Sequence, residues 1–287
     1  MLRSLHKLVI KIWWAWFYTL AAVQTILYFP ILVIILMLPR GYAKLFWIAR
    51  NLWSRIILHG SGFYLSFEDQ HKLKTETNCL IIANHTSYMD IFLMFILNKT
   101  PFTFVGKKEL YSIPIFGYIY KRAAILVDRS NSKSRHEVYG RANKMLEEGY
   151  NICIFPETNY LDETAVLADF KHGAFKIAIE NKLPIIPIVM FDCKLKFPWH
   201  PIFGKPGQLR AKVLDKIEVN DLTEEDIPEL IDKTRKIMKD ELLADPKKAP
   251  LKAANKYREL QKSNLFIVAY NLKYFPFQFL HKLWIIF

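Results

Sequence analysis

From Ile12 to Pro39 the chain carries no charged residue. The stretch places Trp13, Trp14, Trp16, Phe17 and Tyr18 ahead of an aliphatic run from Ile31 to Leu38. A helix crosses a bilayer core with about 20 apolar residues, so this segment is long enough to span one. It is too long for a signal peptide and no small-residue cleavage site follows it, so it is expected to stay on the mature protein. Pro30 interrupts the run, and Gln24 weakens its middle. A second helical stretch, Tyr42 to Leu58, sets Lys44, Arg50 and Arg55 among Leu45, Phe46, Trp47, Ile48, Leu52 and Trp53. Two arrangements are open: a true span, or a helical hairpin embedded in one leaflet. Arg3, Lys7 and Lys11 precede the run and Arg40 and Lys44 follow it, so basic flanks assign no orientation.

Composition bears on what this segment meets. Residues are 52% hydrophobic and 15% aromatic, yet the net charge is +13 and the pI about 9.5. Nucleic acid explains the charge but not the apolar ends, and no zinc-finger spacing, basic zipper or RNP-like motif occurs. An anionic membrane surface explains both, because Lys and Arg attract headgroups while aromatic and aliphatic groups enter the interface. Near the other end, Asn264 to Phe287 mixes Phe266, Tyr270, Tyr274, Phe275, Phe277, Phe279 and Trp284 with Lys273, His281 and Lys282, and reads as an interfacial segment. Asp245-Pro246-Lys247-Lys248-Ala249-Pro250 before it reads as a helix stop and linker. Three parts are expected: a membrane-anchoring segment over 1–58, a catalytic domain over 59–245 and a basic, aromatic tail over 246–287. Cys79, Cys153 and Cys193 lie in or beside apolar runs and read as buried core thiols, which suits a reducing compartment and a catalytic domain facing the cytoplasm from the cell membrane.

Between Phe63 and Val219 short apolar runs alternate with helical patterns, which predicts an α/β fold with a mixed sheet flanked by helices. Strands are expected at Cys79–Ala83, Phe102–Val105, Ala124–Val127, Ile152–Phe155, Ile185–Met190 and Leu209–Val213. Helices are expected at Ser87–Asn98, Lys133–Glu148, Gly173–Asn181 and Glu224–Leu243. No P-loop or Gly-x-Gly-x-x-Gly cradle is present for a nucleotide phosphate. His85, Asp90 and Glu157 lack ligand-rich spacing such as His-Glu-x-x-His, and no metal is expected.

The first of these strands runs straight into Asn84-His85-Thr86-Ser87-Tyr88-Met89-Asp90, which puts His85 at a strand-to-helix turn. With Ser87 as N-cap, Asp90 falls at N3, a capping-box spacing in which the carboxylate also complements the helix dipole. The same spacing lets Asp90 accept the imidazole proton of His85, fix its tautomer and raise its basicity. Physical reasoning leaves both roles open.

His85-x-x-x-x-Asp90 within Asn-His-Thr-Ser-x-x-Asp resembles the first motif of the glycerophospholipid acyltransferase family, which includes the 1-acylglycerol-3-phosphate acyltransferases. Three further blocks follow in that family's order. Gly106-Lys107-Lys108-Glu109-Leu110, with Ile113-Pro114-Ile115-Phe116-Gly117 and Ile125-Leu126-Val127-Asp128-Arg129, resembles the second, Phe155-Pro156-Glu157 the third, and Pro184-Ile185-Ile186-Pro187-Ile188-Val189 the fourth. Asp169-Phe170-Lys171-His172-Gly173-Ala174-Phe175 is similar to the family's Phe-Lys-x-Gly-Ala segment.

The resemblance implies direct acyl transfer from an acyl-CoA or acyl carrier protein to a lysophospholipid, with lysophosphatidic acid as the first-choice acceptor. His85 is implied as general base and Asp90 as the residue that orients it. No cofactor beyond the thioester donor is implied. Lys107, Lys108, Arg129 and Lys171 offer cations for a phosphate, and Glu157 is implied to help place the acceptor. Backbone N–H groups over Thr86–Tyr88 are candidate donors to the oxyanion. One departure stands out: many relatives continue the third motif as Gly-Thr-Arg, where this chain has Thr158-Asn159-Tyr160. Tyrosine makes no forked, charge-assisted bond, which raises a lyso-amino lipid or another lysolipid as alternative acceptor. A hydrolase using Ser87 and a non-catalytic membrane tether are the competing classes, although no Gly-x-Ser-x-Gly elbow occurs.

Overall fold

A computed structural model of the protein describes residues 2–73, 78–112, 116–127, 132–157, 162–199 and 203–262. Helix α1 (Leu2–Met37) is continuous through Pro30. The proline forfeits one backbone donor, and its apolar flanks hold the helical path, so the expected interruption does not occur. Arg40 then takes a left-handed conformation (φ 55°) and the chain reverses at Gly41, where a Cβ would collide with the Ile35 carbonyl. Helix α2 (Gly41–Ile48), a π-helical turn (Ala49–Trp53) and α3 (Ser54–Gly60) run back along α1. The indole N–H groups of Trp13 and Trp16 donate to the Ser61 and Gly60 carbonyls at 2.9 and 2.8 Å and close the hairpin.

The α/β body follows as β1 (Phe63–Glu68), β2 (Leu80–Ala83), α4 (Met89–Leu97), β3 (Phe102–Lys107), α5 (Phe116–Ala123), β4 (Ile125–Val127), α6 (Ser132–Glu147), β5 (Asn151–Ile154), α7 (His172–Glu180), β6 (Ile185–Met190), the short α8 (Cys193–Lys196), β7 (Gly207–Val213), α9 (Ile227–Leu243) and α10 (Ala249–Lys262). The seven strands form one sheet in the order β1-β7-β6-β2-β5-β3-β4. Strands β2 to β6 are parallel, β7 is antiparallel to β6, and β1 is parallel to β7. The sheet is mixed and flanked by helices, as the sequence pattern predicts. Edge strand β1 is the one the pattern missed.

Period-two alternation divides each central strand between two cores. Ile81 and Ala83 of β2 join a cluster with Phe92, Leu93 and Leu97 of α4, while Leu80 and Ile82 join Phe175, Ala178, Leu230 and Met238 on the opposite face. The C-terminal ends of β2, β3, β4, β5 and β6 lie along one rim of the sheet, where ligands of α/β proteins collect.

The expected divisions at 58/59 and 245/246 do not separate independent cores. Ile10, Trp14, Phe17, Tyr18 and Ala21 of α1 and Phe46, Trp53, Ile57 and Leu58 after it belong to the same core as β2 and α4. The α1 positions recur at i, i+4, i+7, i+8 and i+11, one helical face. The opposite face exposes Leu5, Leu8, Ile12, Trp16, Ile26, Leu27, Ile31 and Ile34. The segment Leu8–Met37 is long and apolar enough to cross a membrane, with only 11% of its most apolar window buried.

At the other boundary, Asp245-Pro246 stops α9 but does not begin a linker. Asp245 accepts the N–H groups of Lys247 and Ala249, turns the chain into α10, and lets Ala253, Ala254 and Tyr257 pack inside. Residues 263–287, which include the expected interfacial segment Asn264 to Phe287, lie outside the described residues.

Candidate active site

Asn84 continues β2 with its side chain: its amide donates to the Met190 carbonyl at 3.1 Å and accepts the Met190 N–H at 2.8 Å, sealing the end of β2 against β6. The chain then leaves the sheet, and His85 stands at the rim with its side chain 16% exposed. Asp90, in the first turn of α4, is fully buried. Its Oδ2 accepts the N–H groups of Thr86 at 2.6 Å and Ser87 at 2.8 Å, and lies 3.3 Å from His85 Nδ1.

The helix-start contacts and the His85–Asp90 pairing are therefore one arrangement, centred on Asp90 Oδ2. The reciprocal half of the capping box is different: Ser87 Oγ accepts the Met89 N–H at 3.1 Å, and its own proton goes to the Phe197 carbonyl. Ser87 is buried and donates its hydroxyl away from His85, which removes the nucleophile of the hydrolase reading. The Thr86 and Ser87 N–H groups, expected as oxyanion donors, are donated to Asp90 instead.

Among the described residues, no nitrogen or oxygen donor reaches Asp90 Oδ1. The group against this carboxylate is the buried Cys193 thiol, whose pKa is pushed well up, first by burial and then by the Asp90 charge. Two rings border the imidazole. Phe155 stacks on it at 4.1 Å and 13°, and Trp199 stands across it at 4.9 Å and 85°.

Glu157 follows β5 on the same rim. Its Oε1 accepts the His85 N–H at 2.7 Å and its Oε2 the Ala168 N–H at 2.9 Å. Both oxygens accept backbone N–H groups, so Glu157 ties down the His85 turn. Burial raises its pKa, and the two N–H groups, His85 and Lys194 oppose that rise. Lys171 is brought beside this residue: its N–H donates to the Pro156 carbonyl at 2.8 Å, next to a bridge between Glu157 and Phe170. Lys107 ends β3 level with Val127, and Lys108 follows it, exposed, on the same rim. Arg129 and the altered Thr158-Asn159-Tyr160 lie outside the described residues, as does Ile113-Pro114-Ile115 of the second motif.

Sequence reasoning gave no role to Phe155, Phe197 or Trp199. The two from the 197–199 segment carry no motif and reach the turn only through the fold.

Residues 65–191 match the acyltransferase family model, a span that holds His85, Asp90, Glu157 and Lys171. The chain is 28% identical over 228 residues to a 1-acyl-sn-glycerol-3-phosphate acyltransferase of Cocos nucifera, covering 74% of this chain and 69% of the relative. It is 26% identical over 180 residues to the human 1-acyl-sn-glycerol-3-phosphate acyltransferase beta, covering 62% and 64%. The chain thus spans about two thirds of these relatives' length. Among solved structures, the 1-acyl-sn-glycerophosphate (LPA) acyltransferase PlsC of Thermotoga maritima superposes with a TM-score of 0.67 at 19% identity, over 84% of this chain and 98% of that one. That likeness concerns the fold.

Proposed function

We propose that this chain is a member of the acyltransferase family, whose model matches residues 65–191, and that it is a membrane-bound enzyme that moves a fatty acyl group from an acyl thioester to the free hydroxyl of 1-acylglycerol-3-phosphate, giving phosphatidic acid. The observation that carries the reading is His85 Nδ1 at 3.3 Å from a fully buried Asp90 at the sheet rim. With Nδ1–H directed at the carboxylate, Nε2 is the basic nitrogen. It takes the proton of the acceptor hydroxyl as that oxygen attacks the thioester carbonyl. The tetrahedral intermediate expels the thiolate, the C–S bond breaks, and the imidazolium returns its proton to sulfur. Products are an ester and a free thiol, with no acyl-enzyme. Acyl-CoA or acyl carrier protein is the donor, and no further cofactor takes part.

Lys107, Lys108, Arg129 and Lys171 are assigned to the acceptor phosphate, in place of the arginine that Tyr160 replaces. The exposed apolar face of α1 supports seating in the cell membrane, with the hairpin in one leaflet as the arrangement that leaves its inner face packed on the domain. In that arrangement the rim faces the cytoplasm and anionic headgroups surround the basic surface. Tyr160 keeps a second acceptor class in view, a lyso-amino lipid.

The test is thiol release and lipid product from the purified protein with a panel of lysolipids. Transfer to lysophosphatidate, dependent on acceptor and lost in His85→Ala, is expected. Turnover on N-acyl amino acid acceptors alone would overturn the assignment.

A further inference from the structure

Trp199 lies far from the catalytic turn in sequence and is buried at it in space. Its indole stands across the His85 ring at 4.9 Å and across Tyr88 at 4.8 Å, touching the turn both before and at the start of α4. Two residues earlier, the Phe197 carbonyl takes the Ser87 hydroxyl proton across 110 residues of chain. The Phe197 ring faces away from the turn, stacked on Trp14 of α1 at 3.9 Å, with Phe17 at 4.5 Å and Trp13 at 5.3 Å. Residues 197–199 are thus a strap, with the membrane helix on one side and the catalytic turn on the other. Its leading end is fixed where Asp192, just before α8, pairs with Arg210 of β7 at 2.8 Å.

Resting on the assignment of His85 as base, we propose that Trp199 is a positioning residue for the His85 imidazole, and that the strap keys the turn to α1. A 3.3 Å contact to Asp90 is at the long end for an N–H···O bond and fixes one ring nitrogen, not the plane of the ring. Phe155 restrains one face by stacking, and Trp199 closes the perpendicular direction. With the indole removed, the ring turns about its side-chain bonds and Nε2 leaves the line of the acceptor hydroxyl. A displacement of about 1 Å at a reacting atom is worth roughly a hundredfold in rate. Trp14 acts one step further back, since its stack on Phe197 fixes where the strap lies.

The experiment compares wild type, Trp199→Phe, Trp199→Ala and Trp14→Ala as full-length protein in vesicles. It measures kcat, the KM of each substrate, the melting midpoint and the His85 imidazole NMR signals, assigned against His85→Ala. Trp199→Ala is expected to lower kcat about 10- to 100-fold with each KM within about threefold, and Trp199→Phe to stay within about threefold of wild type. Trp14→Ala is expected to lower kcat about three- to tenfold while the protein stays on the vesicles. The His85 signals should shift in Trp199→Ala and hold in Trp199→Phe. Unmoved His85 signals in Trp199→Ala overturn the proposal, as does a kcat loss shared equally by both Trp199 variants. If wild type transfers no acyl group but the signals still shift, the functional reading falls and the positioning role stands.

Discussion

Two buried carboxylate centres flank the α8 region, and they are built in opposite ways. At Asp90 one oxygen collects two backbone N–H groups and the His85 imidazole, while the other has no nitrogen or oxygen donor among the described residues. At the second centre Arg210 forks onto Asp192 at 2.8 and 2.9 Å and onto Asp245 at 2.7 and 3.0 Å. Asp90 and Asp245 have equally inaccessible side chains. One charge is held by peptide dipoles at a helix start, the other by a guanidinium. A carboxylate whose task is to steady an imidazole that gains and loses a proton is best left without a permanent cation. A carboxylate that fastens a helix corner to a strand is best paired directly with a cation. On the proposed function the first arrangement serves chemistry and the second serves the fold, so substitutions at the two should separate rate from stability.

The largest effect is expected at the first centre. His85→Ala should lower kcat about 10²- to 10⁴-fold, equivalent to roughly 3–5 kcal/mol on the barrier. The melting midpoint should change little, because the ring is partly exposed and Asp90 keeps its two N–H donors. A large drop in midpoint would show that the turn depends on the imidazole for folding, and the contrast would fail. Next in size, Arg210→Met should cost about 3–5 kcal/mol of stability by stranding two buried carboxylates. Urea unfolding measures that loss, and kcat per folded molecule should hold. Unchanged stability would mean the second centre is not a structural device.

Much of the first centre was legible in the sequence, because it is local. Strand β2, His85 and Asp90 fall within a few residues, where turn chemistry and helix capping operate. The downstream motifs carried the resemblance, and the strand pattern placed Lys108 just after β3, on the rim that also holds His85. The second centre was not legible, since Asp192, Arg210 and Asp245 come from three elements and each alone reads as a surface charge. The same holds for Trp199. It also holds for the hairpin: hydropathy registers the long apolar run but cannot distinguish a face that packs on a sheet from one that meets lipid. Gly41 and Arg40 marked the reversal only once the backbone was seen. The backbone contacts of Glu157 were illegible for a related reason, because a carboxylate near a motif suggests a ligand, and only the fold brings the N–H groups of His85 and Ala168 to its two oxygens.

Smaller effects refine the contrast through pH. Burial alone would raise the Asp245 pKa, but Arg210 and the N–H groups of Ala249 and Lys247 outweigh it and leave it lowered. Stability from this group is therefore present above the ordinary aspartate range, near pH 4, and is lost as pH falls through the folded value. Asp245→Asn should cost about 1.5–3 kcal/mol at neutral pH and flatten the acid limb of the urea-derived stability curve. An unchanged acid limb would place the loss elsewhere.

Glu157 should show the reverse sign. Its folded pKa is raised above the ordinary value, burial being the largest cause, so its charged form weighs against folding and stability declines as pH rises through the folded pKa. Glu157→Gln removes that penalty but leaves one of the two N–H groups, of His85 or Ala168, facing an amide that cannot accept from it. The two changes oppose each other, and the net cost should be only about 1 kcal/mol, with a flatter stability curve above the ordinary glutamate range. The loss should register more clearly in rate than in stability, as a several-fold fall in kcat, because the N–H that Glu157 holds belongs to the residue carrying the base. If Glu157→Gln instead raises the acceptor KM and leaves kcat intact, Glu157 is an acceptor ligand after all, and the His85 turn keeps its place without it.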